Sequence, residues 1–181
     1  MAAEKKKGPV LAGTGRLSKP IYEFTHLTTL EGEPLDASKL RGKVVLVTNV
    51  SSKCGYTKLN YEGLNKLHEE FGRDLAIVGV PCNQFGEQEP GTPAEIREFV
   101  RSNFDSKFTL TSKCDVNGPR THPLYVELKR ATGTADVDIR WNFEAKFVVA
   151  KDGVSVARYN KAFDPAHVRE YVAAAATGAR L

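Results

Sequence analysis

KVVLVTNVSSKCGYTKLNY, residues 43–61, reads as a strand, a polar turn, one cysteine and a helix. The apolar run Val44–Val50 is near-continuous, the pattern of a strand covered on both faces, as in parallel sheets with helices on each side. Helical periodicity starts near Thr57. Leu59, Leu64, Leu67 and Phe71 mark its expected buried face, with Asn60, Glu62, Lys66 and Glu69 opposite, and Gly72 stops it. Cys54 stands just before that helix, where a thiol faces the positive end of the macrodipole, a setting that favours thiolate.

After the helix, residues 75–80 form a second buried apolar run, so residues 44–80 are a βαβ unit with two parallel strands. Cys54 and the loop after Val80 both fall at carboxyl ends of these strands, the edge where α/β sheets place their sites. Upstream, residues 21–42 read as a hairpin with its turn at Glu31-Gly32-Glu33, followed by a loop ending at Gly42. Downstream, Thr92-Pro93-Ala94-Glu95 is a capping box with proline at the first helical position, and Ile96, Phe99 and Val100 give that helix its apolar face. Residues 108–110 suggest a short strand. Thr121 is the expected cap of a helix beginning near Pro123, with Leu124, Tyr125 and Leu128 inward; His122 reads as structural. Residues 145–150 and 154–159 are strands joined by the tight turn Lys151-Asp152-Gly153, and Asp164-Pro165 opens a last helix. The expected fold is α/β and thioredoxin-like: a central mixed sheet flanked by helices, in one domain over residues 20–181. Residues 1–19, with Lys5-Lys6-Lys7, Pro9, Gly13 and Gly15, read as a flexible arm.

Composition narrows the function. The 181 residues are 41% hydrophobic and 27% charged, enough for one domain with a real core. The net charge of +4 is spread along the chain, which argues against a nucleic-acid surface. Three cysteines do not make a secreted disulfide framework, so a reducing compartment is expected, the cytoplasm or an organelle. No stretch is long and apolar enough to span a bilayer, and no Cys/His spacing, phosphate loop or dinucleotide fingerprint suggests a metal or bound cofactor.

A single cysteine after a strand fits a small buried hydrophobe as readily as a nucleophile. Its flanks Ser51, Ser52, Lys53, Gly55 and Thr57 are small and polar, which predicts an exposed thiol, and Lys53 is a nearby cation. The run Cys54-Gly55-Tyr56-Thr57 excludes a CxxC dithiol exchanger. Three stretches, NVSSKCGYT, PCNQFGEQEPG and RWNF, in this order and spacing, resemble the glutathione peroxidase family in its cysteine form. The resemblance covers nearly the whole chain from Ile21 onward. It implies a peroxidase whose catalytic set is Cys54, Gln88, Trp141 and Asn142, with Asn83, Gln84, Phe85 and Gly86 shaping the loop that presents Gln88. The chemistry is coherent. A thiolate attacking a peroxide passes negative charge to the departing oxygen, and neutral N–H donors stabilise that charge without locking the sulfur in an ion pair. The product is a sulfenic acid that thiols reduce.

The resemblance also bears on the reductant. Thioredoxin-dependent members carry a second, resolving cysteine in the helix after the PCNQF loop. That place falls at Arg101 here. Cys114, near a loop and expected to be mobile, and Cys82, in the family motif, are the remaining candidates for resolving Cys54. Otherwise an external thiol such as glutathione attacks directly, with Lys53, Lys58 and Arg140 as candidates to guide that anion. The link between Pro123 and Trp141 lacks the longer insertion of tetrameric members. This favours a monomer of the phospholipid-hydroperoxide type, acting on hydrogen peroxide and on organic or lipid hydroperoxides, with only transient contact with a membrane surface. Two other readings compete: a redox sensor or relay that passes oxidation from Cys54 to a partner protein, and a thioredoxin-fold binding module with an idle site. The second of these conflicts with the intact four-residue set.

Overall fold

Seven consecutive buried residues, Val44–Val50, form β2, the centre of the sheet. The computed structural model describes residues 9–24, 26–179 and 181. Helix α1 (Thr57–Phe71) returns the chain to β3 (Leu75–Pro81), which pairs parallel to β2 with Val44 opposite Leu75 and Val50 opposite Pro81. Gly72 ends α1 at φ 50°, a left-handed value that glycine adopts without steric cost. Helix α2 (Pro93–Phe104) starts at the expected capping box: Thr92 accepts from the Glu95 N–H, and the Glu95 carboxylate accepts from the Thr92 N–H at 2.7 Å. A two-residue β4 (Thr109–Leu110) pairs parallel to β3. Helix α3 (Pro123–Ala131) follows, then the hairpin β5 (Lys146–Val149) and β6 (Ser155–Asn160), and last α4 (Arg169–Ala176) after a 3-10 turn at Pro165–Val168.

Strand alternation divides the core in two. Val44, Leu46 and Val50 of β2 point to the side covered by α1, α2 and α4, where Tyr61, Leu64, Ile96, Val100 and Val172 pack. Val45 and Val47 point to the side covered by α3, with Leu124, Tyr125 and Leu128. The α/β, thioredoxin-like expectation therefore holds, as a six-stranded mixed sheet in the order β1-β6-β5-β2-β3-β4.

The N-terminal arm is where the sequence reading departs most. Residues 1–8 lie outside the described residues, but Val10–Arg16 form an edge strand, β1, antiparallel to β6. Gly13 and Gly15, which had suggested flexibility, permit close approach. A Cβ on either would lie within 2 Å of a backbone oxygen at the end of α3, Thr132 O for Gly13 and Ala131 O for Gly15.

Three local readings also shift. The cap of α3 is His122, whose Nδ1 accepts from the Leu124 N–H at 3.2 Å, while the Thr121 hydroxyl turns to Gly118 O. The expected hairpin near residue 32 is reduced to isolated bridges, Thr28 with Pro34 and Thr29 with Thr111. On α1, Leu59 is 43% exposed whereas Asn60 is fully buried, the reverse of the amphipathic expectation. The Asn60 amide is taken up by internal partners, and Tyr61 fills the core beside it.

Candidate active site

The turn between β2 and α1 is tied internally by polar groups. The Thr57 hydroxyl donates to Ser51 O at 2.8 Å and accepts from the Cys54 N–H at 3.0 Å, and the Thr57 N–H reaches Cys54 O. Cys54 sits inside this knot with its side facing the α1 core, 8% exposed. The exposed thiol expected from small polar flanks is thus corrected. Those flanks satisfy one another, so the loop folds down and carries the sulfur just beneath the surface. The Tyr56 N–H donates to Cys54 Sγ at 3.4 Å, a backbone donor at the sulfur.

The same turn grips the amide loop after β3. Ser51 Oγ donates to Gln88 O at 2.6 Å and the Lys53 N–H donates to it at 3.0 Å. Within that loop, Gly86 and Glu87 both take positive φ, 63° and 52°. A Cβ on Gly86 would meet the Trp141 ring at 3.4 Å and Gln88 Cγ at 3.6 Å, so the glycine lets indole and glutamine converge. Asn83 Oδ1 accepts from the Glu89 N–H, and Gln84 Oε1 accepts from the N–H groups of Val116 and Asn117. These are the loop-shaping roles expected for Asn83 and Gln84.

Trp141 and Asn142 lie in the turn before β5, which β2 also holds. The Phe143 N–H donates to Asn49 O at 3.1 Å, and the Asn49 side chain donates to Trp141 O. Trp141 is at the surface, 36% exposed, with its ring 6.0 Å from that of Phe85. Asn142 is fully buried, and its Nδ2 donates to Gln88 Oε1 at 3.0 Å and to Phe85 O at 3.4 Å. With Gln88 Oε1 occupied, Nε2 is the atom of that amide left to donate. Asn142, expected among the donors to the reaction, has its Nδ2 turned to Gln88 and Phe85 here and so orients the Gln88 amide.

The other candidates separate. Cys82 is fully buried at the end of β3 on the α3 side, and Cys114 packs against the same cluster, across the sheet from Cys54. All three thiols are free. Burial pushes the Cys114 thiol up to about 12, helped by the neighbouring Cys82 and Asp115, and burial also raises Cys82. The Cys114 N–H is tied to Pro81 O, so the expected mobility of this residue is not what the backbone provides. Arg101, at the family's resolving position, is ion-paired with Glu98 on α2. Lys58 is ion-paired with Glu62. Lys53 is exposed, and Arg140 borders a cavity of about 530 Å³ with Tyr56, Leu59, Lys161, Phe163 and His167.

Several buried ionisable groups escaped the sequence reading, among them Lys129, Glu144 and Arg158, and two of them, Glu89 and Lys146, adjoin the segments that carry the candidate residues. Glu89 is fully buried, and desolvation raises its carboxyl despite Ser52, Lys113 and Lys53 nearby. Lys146 is fully buried beneath the Trp141 turn. The adjoining apolar runs carried no signal for either. Among the described residues, no group of His, Cys, Asp and Glu is placed to hold a metal ion, and no helix is long and apolar enough to cross a membrane.

A thioredoxin-like sheet with a single thiol at the carboxyl edge of β2, a backbone N–H on its sulfur and the Gln88 loop fastened to its turn, defines a thiol oxidoreductase without a CxxC pair. The glutathione peroxidase family pattern matches residues 21–129, more than half of the chain. The chain is 49% identical over 142 residues to a hydroperoxy fatty acid reductase of Synechocystis sp., covering 78% of this chain and 88% of that protein. It is 40% identical over 154 residues to a chloroplastic phospholipid hydroperoxide glutathione peroxidase of Arabidopsis thaliana, covering 84% of this chain and 64% of that one. The crystal structure of T. cruzi GPX1 superposes with a TM-score of 0.70 at 32% identity, over 90% of this chain and 100% of that one. The chain belongs to the glutathione peroxidase family, and it is a peroxidase that reduces hydroperoxides at the expense of thiols.

Proposed function

We propose that Cys54 is the peroxidatic thiol of a one-cysteine cycle. The observation that carries this reading is the double grip of Ser51 and Lys53, from the turn that holds Cys54, on the carbonyl of Gln88. It brings the free Gln88 amide to the thiol's own loop. The Cys54 thiolate attacks one peroxide oxygen; the S–O bond forms as the O–O bond breaks. The departing alkoxide or hydroxide, met by the N–H donors of Gln88 and Trp141, takes up a proton and leaves as alcohol or water. An external thiol then attacks the sulfenic sulfur, forming an S–S bond and releasing water. A second thiol frees Cys54 and leaves as the disulfide.

Glutathione or a thioredoxin-like thiol serves as this reductant, a cosubstrate rather than a bound cofactor, and exposed Lys53 and Arg140 steer an anionic donor. The placement of Cys82 and Cys114 across the sheet supports an external thiol over an internal resolver. Hydrogen peroxide and organic or lipid hydroperoxides are the substrates. The cavity beside Tyr56, with apolar Leu59 and Phe163 between the basic Arg140 and Lys161 and the acidic Glu144 and Asp164, supports the bulky ones. The protein works as a monomer with transient contact to lipid surfaces, in the cytoplasm or in an organelle, as the chloroplastic relative suggests.

The test is peptide mass spectrometry after one equivalent of peroxide, with and without glutathione. The expected products are a Cys54 sulfenic acid and its glutathione mixed disulfide. A Cys54–Cys82 or Cys54–Cys114 disulfide as the main product overturns the one-cysteine cycle.

A further inference from the structure

Lys146 is the first residue of β5 and lies wholly within the protein. Placing an ammonium in a core costs several kcal/mol unless its hydrogen bonds are met. Here all three are: Nζ donates to Asn60 Oδ1 at 2.9 Å, to Phe143 O at 2.9 Å and to Ala162 O at 2.5 Å. Each partner is an acceptor, so the set matches the three donors of the protonated form. All three partners are uncharged, and Asp164 and Glu144 act as nearby charges.

The three acceptors belong to three different segments. Phe143 closes the turn that carries Trp141 and Asn142, and it has φ 63°, a left-handed conformation that a bulky side chain rarely adopts. Its N–H is held by Asn49 O and its carbonyl by Lys146, so this residue is pinned on both sides. Asn60 belongs to α1. Its Nδ2 donates to Tyr56 O at 3.0 Å and to Phe163 O at 2.7 Å, and the Tyr56 N–H is the donor at Cys54 Sγ. A continuous set of hydrogen bonds thus runs from the turn bearing Trp141 and Asn142, through Lys146 and Asn60, to the residue that touches the sulfur.

We propose that Lys146 is a positioning residue for peroxide reduction: through Phe143 on one side and Asn60 and Tyr56 on the other, it sets the placement of Trp141 and Asn142 relative to Cys54. The proposal rests on the reading of Cys54 as the peroxidatic thiol. Lys146 touches no reacting atom, and its effect passes through the backbone that it holds.

The test uses Lys146→Met, which keeps the length and the apolar stem, and Asn60→Asp, which keeps the acceptor for Lys146 but removes the donor to Tyr56 and Phe163. Oxidation of Cys54 by hydrogen peroxide, read by quenching and peptide mass, is expected to slow about a hundredfold in Lys146→Met, the effect of a misplacement near 1 Å, and about tenfold in Asn60→Asp. Alkylation of Cys54 by iodoacetamide needs the thiolate but no donor for a leaving oxygen, and is expected to stay within about threefold of the wild type. Trp141 is the sole tryptophan, so its emission reports directly on the displaced turn. A lysine that served stability alone would lower the melting temperature and leave the oxidation rate and the emission unchanged. A wild-type oxidation rate in either folded variant overturns the proposal. Failure of wild-type Cys54 to react with peroxide would instead overturn the underlying reading.

Discussion

Cys54 and Cys82 leave neighbouring parallel strands at the same edge of the sheet, and the Cys82 N–H even donates to Val50 O. Their surroundings differ in kind. Cys54 turns to the α1 side, into a loop of mutually bonded polar groups with a backbone N–H on its sulfur and the Gln88 loop fastened to it. Cys82 turns to the α3 side, among Val80, Phe85, Val116 and Leu124, where burial raises its thiol, and Cys114 shares that side. Both cysteines are buried, so exposure does not separate them. The Cys82 sulfur has backbone hydrogen bonds of its own, from Gln84 and Val116, so what separates the two is the face of the sheet and the Gln88 loop fastened to the Cys54 turn.

The contrast is broken or sharpened most strongly at Cys54 itself. Cys54→Ser is expected to lose peroxide turnover by about a thousandfold or more, measured as thiol-dependent peroxide consumption. A fully active variant would mean that the reacting sulfur lies on the other face. Next comes the donor supply. Gln88→Ala is expected to slow Cys54 oxidation about a hundredfold, as loss of one aligned donor does elsewhere, with folding preserved by circular dichroism.

A third effect concerns the charge beneath the site. Burial lowers Lys146 from 10.5 to about 7, against the opposing influence of Asp164 on the approach to the last helix and Glu144 beside the Trp141 turn. The ammonium that fills all three acceptors thus prevails below about pH 7, and an amine with two N–H donors above it. The unfolded chain therefore binds one more proton than the folded chain between about pH 7 and 10.5, and stability rises with pH across that window. The slope from this group is at most about 1.4 kcal/mol per pH unit. Urea midpoints of the wild type are expected to climb over that range relative to those of Lys146→Met. The smallest effects fall on the far face. Cys82→Ser and Cys114→Ser are expected to keep peroxide turnover within about twofold while losing about 1–2 kcal/mol of stability through the cost of burying a hydroxyl in the α3 core. A large loss of turnover in either would erase the distinction between the two faces.

Much of this was legible from local rules, and the failures share a cause. The bounds of β2, the Gly72 stop, the Thr92 capping box and the Lys151-Asp152-Gly153 turn each depend on a few adjacent residues, and each stands where the pattern placed it. Asn60 was assigned to solvent because its polarity was weighed without its partners. Those partners, Phe163 and Lys146, lie about a hundred residues along the chain. Cys114 was judged mobile from its loop, but its N–H pairs with Pro81 and its side chain with the α3 core.

By itself the sequence determined the βαβ unit and the single thiol at its edge, because apolar periodicity, caps and turn residues act over short spans of chain, while the peroxidase motif set came from resemblance to the glutathione peroxidase family. Tertiary structure decided the rest. It paired the first strand with the last, Val10 opposite Asn160; it sent Cys54 and Cys82 to opposite faces; it turned Asn142 onto Gln88; and it buried Lys146 under the Trp141 turn. These are contacts between residues far apart in sequence, where polar groups are satisfied only once the segments meet, and no local pattern of apolar and polar residues encodes which partner each will find.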